Sequence, residues 1–278
     1  MFRRAWRWAA WGCALLVGTA SLALAGEPTN RELLPTEATV VLEVARPAGV
    51  ASHPLVREVV PLLYTSEGYR QALAAPPAVQ TRDVLEALQA RWNVDLLEGF
   101  DSITAGGIAA SFQPGPPPRI CIVATARDAP ALTRFVDAAQ GLVREIAARN
   151  GNNSPFEPRT DEGRAYTHIG PAFFAVVGKR LLLSNQEDEL RRMLKAAGSG
   201  ESPAINESLG AGPSARLTVD LRKVRELPQF AKGLELPTTN LNLLNLVGGW
   251  VDLLRRSDTA VAELRLPEDR VELSLKFP

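Results

Sequence analysis

The sequence is poor in the side chains that most enzymes use for catalysis. Its 278 residues include only two histidines and two cysteines. Neither His53 nor His168 has a second histidine or cysteine at the spacing of metal ligands. Cys13 lies in the N-terminal segment and Cys121 stands alone in the remainder, which excludes an internal disulfide in a chain that loses this segment. The sequence therefore predicts no catalytic triad, no zinc site and no disulfide scaffold.

For the two histidines and for Cys121 we favour structural interpretations over functional ones. His53 is expected to be a solvated or capping residue at a helix start. His168 lies in a short predicted strand, where it faces solvent or a cross-strand neighbour. Cys121 lies in the middle of another strand, which is typical of a small buried side chain. The alternative for Cys121 is a reactive thiolate activated by Arg119.

Motifs for phosphate and metal binding are also missing. Gly178 and Lys179 resemble the end of a P-loop, but Phe173 occupies the place of the earlier glycine and the context is a hairpin. The acidic residues 187–189 lack the alternating spacing of a calcium loop and suit the first turn of a helix. We predict no catalytic, cofactor-binding or metal-binding residues and no cofactor.

The N-terminus has the three parts of a secretion signal. Arg3, Arg4 and Arg7 precede an apolar run that extends to Leu24, and small residues end it at Ala25. We expect residues 1–25 to be a cleaved signal peptide. The run is shorter than the roughly 20 residues of a membrane-spanning helix, and no later segment approaches that length. A periplasmic or secreted location without a stable membrane span is predicted.

Charge does not favour nucleic acid as a partner. The chain has 31 basic and 31 acidic residues. Loss of the three arginines in the signal leaves the acidic residues in slight excess, so we expect no attraction to a polyanion.

Hydrophobic periodicity predicts an α+β fold with a largely antiparallel sheet and packed helices. The predicted strands are 38–45, 103–112, 119–126, 164–169, 173–177 and 180–184. The predicted helices are 53–64, 83–92, 129–149 and 185–197, the third starting at Asp128 and Pro130 and the fourth at an Asn185 N-cap. Residues 150–163 are predicted to be a loop.

The order of elements recurs in the C-terminal part of the chain. A strand at 216–221 runs into a helix, and a hairpin follows at 259–266 and 270–277. We interpret this as an imperfect internal repeat. The predicted division is a first α+β module at 26–197, a linker or mobile loop at 198–213, and a second, shortened module at 214–278. The unusually apolar segment 241–254 is predicted to be a core helix or a partner surface.

Two stretches carry a resemblance to a known family. One is the strand and turn at 176–185, with the helix that ends near Ala197 and the segment 205–209 that follows. The other is Leu33, Leu34 and Pro35 before the strand 40–44. Over residues 33–278 the chain resembles a family of exported bacterial proteins of unknown function built from repeated α+β modules. The resemblance implies an envelope or periplasmic protein and carries over no catalytic residues.

These observations favour a non-enzymatic exported protein that binds an unknown envelope protein or forms a structural component of the cell envelope. The alternative is a small-ligand or lipid-binding module with its ligand near residues 241–250, which a deep apolar pocket would favour. A hydrolase that uses carboxylates such as Asp101, Glu162 or Asp258 is the less favoured third hypothesis.

Overall fold

The computed structural model describes residues 30–45, 52–55, 57–58, 76–151, 154–197, 213–228, 252–267 and 269–278, together with positions 47, 49, 67, 230 and 249. The predicted signal peptide lies outside the described residues. So do most of the predicted helix 53–64, the linker 198–213 except Pro213, and most of the apolar segment 241–254.

Ten strands form one antiparallel sheet. They are β1 (Val40–Val44), β2 (Ile108–Gln113), β3 (Arg119–Thr125), β4 (Phe156–Asp161), β5 (Arg164–Ile169), β6 (Ala172–Val177), β7 (Arg180–Ser184), β8 (Ala215–Asp220), β9 (Thr259–Arg265) and β10 (Glu272–Lys276). Their order across the sheet is β10-β9-β8-β1-β2-β3-β7-β6-β5-β4. The antiparallel α+β prediction is confirmed.

The described helices surround this sheet. They are a short 3-10 helix (Arg31–Leu33), α1 (Pro76–Trp92), α2 (Leu96–Thr104), α3 (Ala129–Arg149), α4 (Glu187–Ala197) and α5 (Leu221–Arg225). The Asp128 side chain accepts a hydrogen bond from the Ala131 N–H at 2.7 Å, and Pro130 occupies the first turn of α3. Because both residues favour a helix start, the predicted α3 has its expected bounds. Among the described residues, no helix combines the length and apolar character needed to cross a membrane.

One face of the sheet packs against α4, and we call it the α4 face. Leu190 and Met193 are fully buried and Leu194 is almost so. They form the main core with Val123 of β3 and Leu182 of β7. The side chains that α4 buries recur at helical spacing, so they form one apolar face of the predicted helix.

The opposite face lies toward α3, and we call it the α3 face. The Arg144 guanidinium of α3 lies 5.2 Å from the ring centre of Phe156 in β4, which points to this side. The α3 helix also packs against α1, where the rings of Trp92 and Phe135 are 5.0 Å apart. Ile146 lies at the helical spacing of the apolar side chains of α3, but it is 37% exposed.

The strand predicted to begin at Ile103 begins at Ile108 instead. Residues up to Thr104 belong to α2, whose start is capped by the Asp95 carboxylate accepting from the Leu97 and Glu98 N–H groups. A carboxylate N-cap satisfies amide groups that have no partner in the helix, so it stabilises a helix here.

The predicted loop 150–163 contains the strand β4. Its residues pair with β5 from Phe156 to Asp161. β4 is an edge strand, where Pro158 is tolerated because one side of the strand needs no hydrogen bonds. A proline and three charged residues in a short stretch obscured the strand pattern.

The predicted N-cap at Asn185 is also wrong. The helix α4 begins at Glu187, and the Asn185 side chain bonds to the segment that opens β3. It accepts from the Ile120 N–H at 2.8 Å and donates to the Pro118 carbonyl at 2.6 Å. Asn185 therefore extends the β3–β7 pairing instead of capping a helix.

Strands of both predicted modules share the one sheet. β1 pairs with β8, and the order continues outward through β2 and β3 on one side and through β9 and β10 on the other. A hairpin therefore lies on each side of the β1–β8 pair, so each half has the order strand, then hairpin.

Candidate functional site

The α3 face of the sheet is apolar over eight adjacent strands. Residues that pair directly across an antiparallel sheet point to the same face. One such row runs from β6 to β10 and consists of Phe174, Leu183, Ile122, Ala110, Leu42, Leu217, Ala262 and Leu275. The row beside it consists of Val176, Leu181, Ala124, Ile108, Val44, Ala215, Leu264 and Leu273. Neither row contains a polar side chain.

Part of this apolar face is accessible. Leu217 near its centre is 37% exposed, and Phe112, in a third apolar row with Val40 and Val219, is 40% exposed. The other members of the Leu217 row, apart from the exposed Leu275, are only half-buried. The central residues of the second row, from Ala124 to Ala215, are buried. The partly exposed rows of Leu217 and Phe112 therefore form an apolar strip that is a candidate interaction site.

The α4 face carries charge where the α3 face is apolar. On strands β1, β8 and β9, Glu43, Arg216 and Glu263 lie opposite one another in a single row. Arg216 donates two hydrogen bonds to one Glu263 oxygen at 2.9 and 3.1 Å, and the Lys276 ammonium lies 2.7 Å from the other oxygen. The hydrogen bond from Lys276, together with Arg216, lowers the pKa of Glu263 although burial opposes this shift. We call these four residues the charge row.

Glu43 is the least satisfied member of the charge row. Its side chain is 1% exposed, and one of its oxygens lies 3.1 Å from Arg31, a side chain that is 41% exposed. The other oxygen is buried and has no hydrogen-bond partner among the described residues. A buried carboxylate oxygen in this state costs stability.

A second polar cluster joins β4, β5 and α4. The Tyr166 hydroxyl donates to Glu187 at 2.6 Å and accepts from Arg191 at 3.1 Å. The hydrogen bond from Tyr166 lowers the pKa of Glu187, with Arg191 acting in the same direction. Arg159 bridges this group to Glu157 at 3.0 Å. Each carboxylate in the cluster has a cationic or hydroxyl partner, so the cluster ties the edge of the sheet to α4.

His168 belongs to the exposed end of this cluster. Its Nδ1 lies 2.9 Å from Glu157 and its ring stacks on Phe173 at 4.5 Å. The hydrogen bond from His168, followed by that from Arg159, lowers the pKa of Glu157. Of the two alternatives predicted for His168, solvent or a cross-strand neighbour, the second is the one observed, since both Glu157 and Phe173 are its partners across the sheet.

His53 was predicted to be a solvated or capping residue at a helix start. It directly precedes a helical segment, and its carbonyl accepts from the Arg57 N–H at 3.0 Å, but its side chain is buried and not solvated. Its side chain is 4% exposed. Nε2 donates to the Pro267 carbonyl at 2.9 Å. With that tautomer Nδ1 is an acceptor, and it has no partner among the described residues. His53 is buried because its ring contacts the loop after β9 through the Pro267 carbonyl.

Cys121 is a core residue, as predicted. It is 1% exposed, and its sulfur lies 3.5 Å from the Ser184 hydroxyl. Burial raises the pKa of the thiol. Arg119, considered as its activating cation, instead pairs with Glu189 of α4 at 3.5 Å. The side chain is therefore inaccessible and protonated at neutral pH.

The three carboxylates considered for a hydrolase lie on separate elements. Asp101 of α2 pairs with Arg127. Glu162 lies in the β4–β5 turn at 3.8 Å from Lys195. Asp258 precedes β9 and lies 3.6 Å from Arg225. Because each is exposed and has its own cation, the arrangement does not form an acid–base pair.

Other kinds of site are not evident in the part of the chain that the structure describes. There, no three histidine, cysteine or acidic side chains are grouped as metal ligands. The best-defined concave surfaces among these residues are open grooves beside α1 and α3, around Arg91. They are shallow and partly charged, unlike a pocket that encloses a small ligand.

Comparisons with known proteins assign no family. No protein-family model and no curated protein matches the sequence. Crystal form IV of the protein TP0453 resembles the chain with a TM-score of 0.40 and 9% identity, over 90% of this chain and 80% of TP0453. Crystal form III of TP0453 gives a TM-score of 0.38 and 11% identity over 90% and 79% of the two chains. A likeness at this level does not assign a function.

Sequence reasoning did not identify the apolar α3 face or the charge row. The alternation in β8 was a usable signal, since Ala215, Leu217 and Val219 alternate with Arg216 and Thr218. Which strands lie next to β8 could not be inferred from it.

Proposed function

We propose that this protein is an exported, non-enzymatic component of a bacterial cell envelope that binds a partner protein through the α3 face. The observation that carries the proposal is the accessible apolar surface across β1, β2 and β8. The proposed location of the protein in the cell envelope is inferred from the signal-like N-terminus and from the resemblance to exported proteins built from α+β modules.

The α3 face suits a protein partner for energetic reasons. Full burial of an exposed Leu or Phe side chain contributes about 1.5–3 kcal/mol. Leu217 and Phe112 are 37% and 40% exposed, so covering the remaining surface of each contributes about 0.6–1.2 kcal/mol. The two residues lie in adjacent rows of the same surface, so one apolar helix or sheet could cover both. The aromatic Phe112 is the kind of side chain enriched at protein interfaces.

The order of strands supports the interpretation of the chain as two related α+β modules. β1 with the β2–β3 hairpin and β8 with the β9–β10 hairpin have the same order on the two sides of the β1–β8 contact. A duplicated unit whose copies join through their first strands accounts for this order. The duplication places apolar residues of both halves on one face, and this produces a wider surface than either half alone.

Position-specific crosslinking in the native host tests the interaction. A photoreactive phenylalanine analogue at Phe112 points to the α3 face, and the same analogue at Gln113 points to the opposite face of the same strand. We expect a protein adduct of one defined mass from position 112 that is absent from position 113. The adduct should disappear with Leu217→Glu. Equal adducts from both positions, or none, would contradict binding through this face.

Export needs a separate measurement. Sequencing the N-terminus of the protein from the native host should find Gly26 first, and fractionation should place the protein in the envelope. A cytoplasmic chain that retains Met1 would contradict the proposed location while leaving the crosslinking result intact.

A lipid is the second candidate, because the two complete rows contain no polar side chain. An acyl chain needs no hydrogen-bonding partner along its length. Mass spectrometry of the adduct at position 112 distinguishes the two, since a lipid adds a small, organic-soluble mass and a protein adds a second polypeptide.

A further inference from the structure

Among the described residues, the strand β10 forms an edge of the sheet. It ends the strand order next to β9. Leu273 and Leu275 on its α3 face are 67% and 47% exposed. Edge strands present unpaired backbone N–H and C=O groups to any strand that aligns with them. Exposed leucines add an apolar contact to that template.

The opposite edge of the sheet is protected. β4 contains Pro158, which cannot donate a backbone hydrogen bond, and Glu157 and Arg159 form an ion pair along it. Proline and charge are the usual means of preventing edge pairing. β10 contains no proline between Glu272 and Lys276. β10 has charges at its two ends, Glu272 and Lys276, so the two edges differ in the proline of β4 and in the exposed leucines between the charges of β10.

The sequence of β10 is complementary to itself in the antiparallel direction. With Ser274 opposite Ser274 of a second copy, Glu272 lies opposite Lys276 and Leu273 lies opposite Leu275. Opposite charges and paired apolar side chains both stabilise an antiparallel pair, whereas like charges destabilise it. Residues of the same parity face each other in this register, so the backbone hydrogen bonds of both strands can form.

The side chains remain available for these contacts. Lys276 is 56% exposed, and its ammonium has three donors, of which Glu263 occupies one. Glu272 accepts from the Arg270 side chain at 2.7 Å through one of its two oxygens. A remaining N–H donor of Lys276 in one copy can therefore bond to the second oxygen of Glu272 in the other copy. The bonds to Glu263 and Arg270 stay intact.

We propose that two copies of this chain associate through antiparallel β10–β10 pairing centred on Ser274. The pairing joins the two sheets into one and places both α3 faces on the same side, because directly paired residues share a face. The inference stands on the edge strand alone and does not depend on the proposed function.

Charge substitutions test the register. Glu272→Lys places lysines opposite each other twice in the dimer, and Lys276→Glu places glutamates opposite each other twice. Each variant should raise the dimer dissociation constant by about tenfold or more in analytical ultracentrifugation. An equal mixture of the two variants restores both opposite-charge pairs, so it should form a heterodimer with nearly the affinity of the unmodified protein. A mixture that stays monomeric while both variants fold would overturn the register.

A disulfide at the axis gives a second test that does not use charge. In a Cys13→Ala background, Ser274→Cys places two cysteines directly opposite each other, within the Cα separation that a disulfide allows. Oxidation with copper phenanthroline should crosslink it efficiently, since Cys121 is buried. Leu273→Cys is the control, because its two cysteines would be diagonal, at about 7–8 Å. Equal crosslinking of the two variants, or a protein that is monomeric at every concentration, would refute the proposal.

Discussion

The two glutamates of the charge row should respond oppositely to removal of their charge. Glu43 and Glu263 are both buried, at 1% and 6% exposure of their side chains. Glu263 has both oxygens occupied by cations, whereas Glu43 has one buried oxygen without a partner. Since an unsatisfied buried acceptor costs about 1–3 kcal/mol, Glu43 carries a penalty that Glu263 does not.

We therefore expect Glu43→Met to stabilise the protein. Methionine has a similar volume and adapts its shape, and the neighbour on β2 is the small, buried Ala109. Arg31 is 41% exposed, so it returns to water at little cost when its partner is lost. Loss of this half-exposed contact, worth about 1 kcal/mol, against relief of a penalty of about 1–3 kcal/mol leaves a net gain of about 1 kcal/mol. The melting temperature should rise by about 2–4 °C.

Glu263→Met should destabilise the protein by about 2–4 kcal/mol. It removes two hydrogen bonds of the Arg216 side chain, which is 25% exposed, and the ion pair of Lys276. Removal of one partner of a buried pair is costly because the remaining charge stays desolvated. Urea denaturation of both variants measures the two free energies of unfolding. A loss of more than 1 kcal/mol in Glu43→Met would refute the reasoning and would indicate that its free oxygen has a partner or a ligand.

Three further predictions concern pH, capping and reactivity. Lys276 and Arg216 lower the folded-state pKa of Glu263. Ionisation of Glu263 therefore stabilises the protein above the usual glutamate pKa of 4.5, and this contribution disappears as pH falls through the lowered pKa. In acid titration, Glu263→Gln should lose stability less steeply with falling pH than the unmodified protein does. Asp128→Ala should cost about 1 kcal/mol in urea denaturation, and Asp128→Asn should retain most of the stability. Cys121 should not react with Ellman's reagent in the folded protein, since burial raises its pKa, and should react fully in denaturant.

The secondary structure could be predicted where local signals were strong. The helix α3 has an acidic N-cap, a first-turn proline and a long apolar stripe, and its bounds were correct. The strands β5, β6 and β7 are separated by tight turns with glycines at positive φ, Gly170 and Gly178. Such turns need a residue without a Cβ, so they are visible in sequence.

The wrong boundaries occur where tertiary contacts decide the outcome. Asn185 is a good N-cap by type, yet its side chain bonds to the β3 segment instead of a helix. Pro158 and its charged neighbours are typical of a loop, and only the position at the sheet edge allows them to form β4. His53 is buried by a contact with Pro267, which is distant in the chain.

The candidate site could not be predicted because it is a property of strand order. Alternation in β8 indicates one apolar and one polar face, and the same holds for β10, but alternation does not say which strands share a face. Leu42 is next to Ala110 on one side and Leu217 on the other only because β1 lies between β2 and β8. The pairing of β1 with β8 thus brings apolar residues from distant parts of the chain into one row. The same pairing aligns Glu43 with Arg216 on the other face, so one topological feature produces both the apolar surface and the charge row.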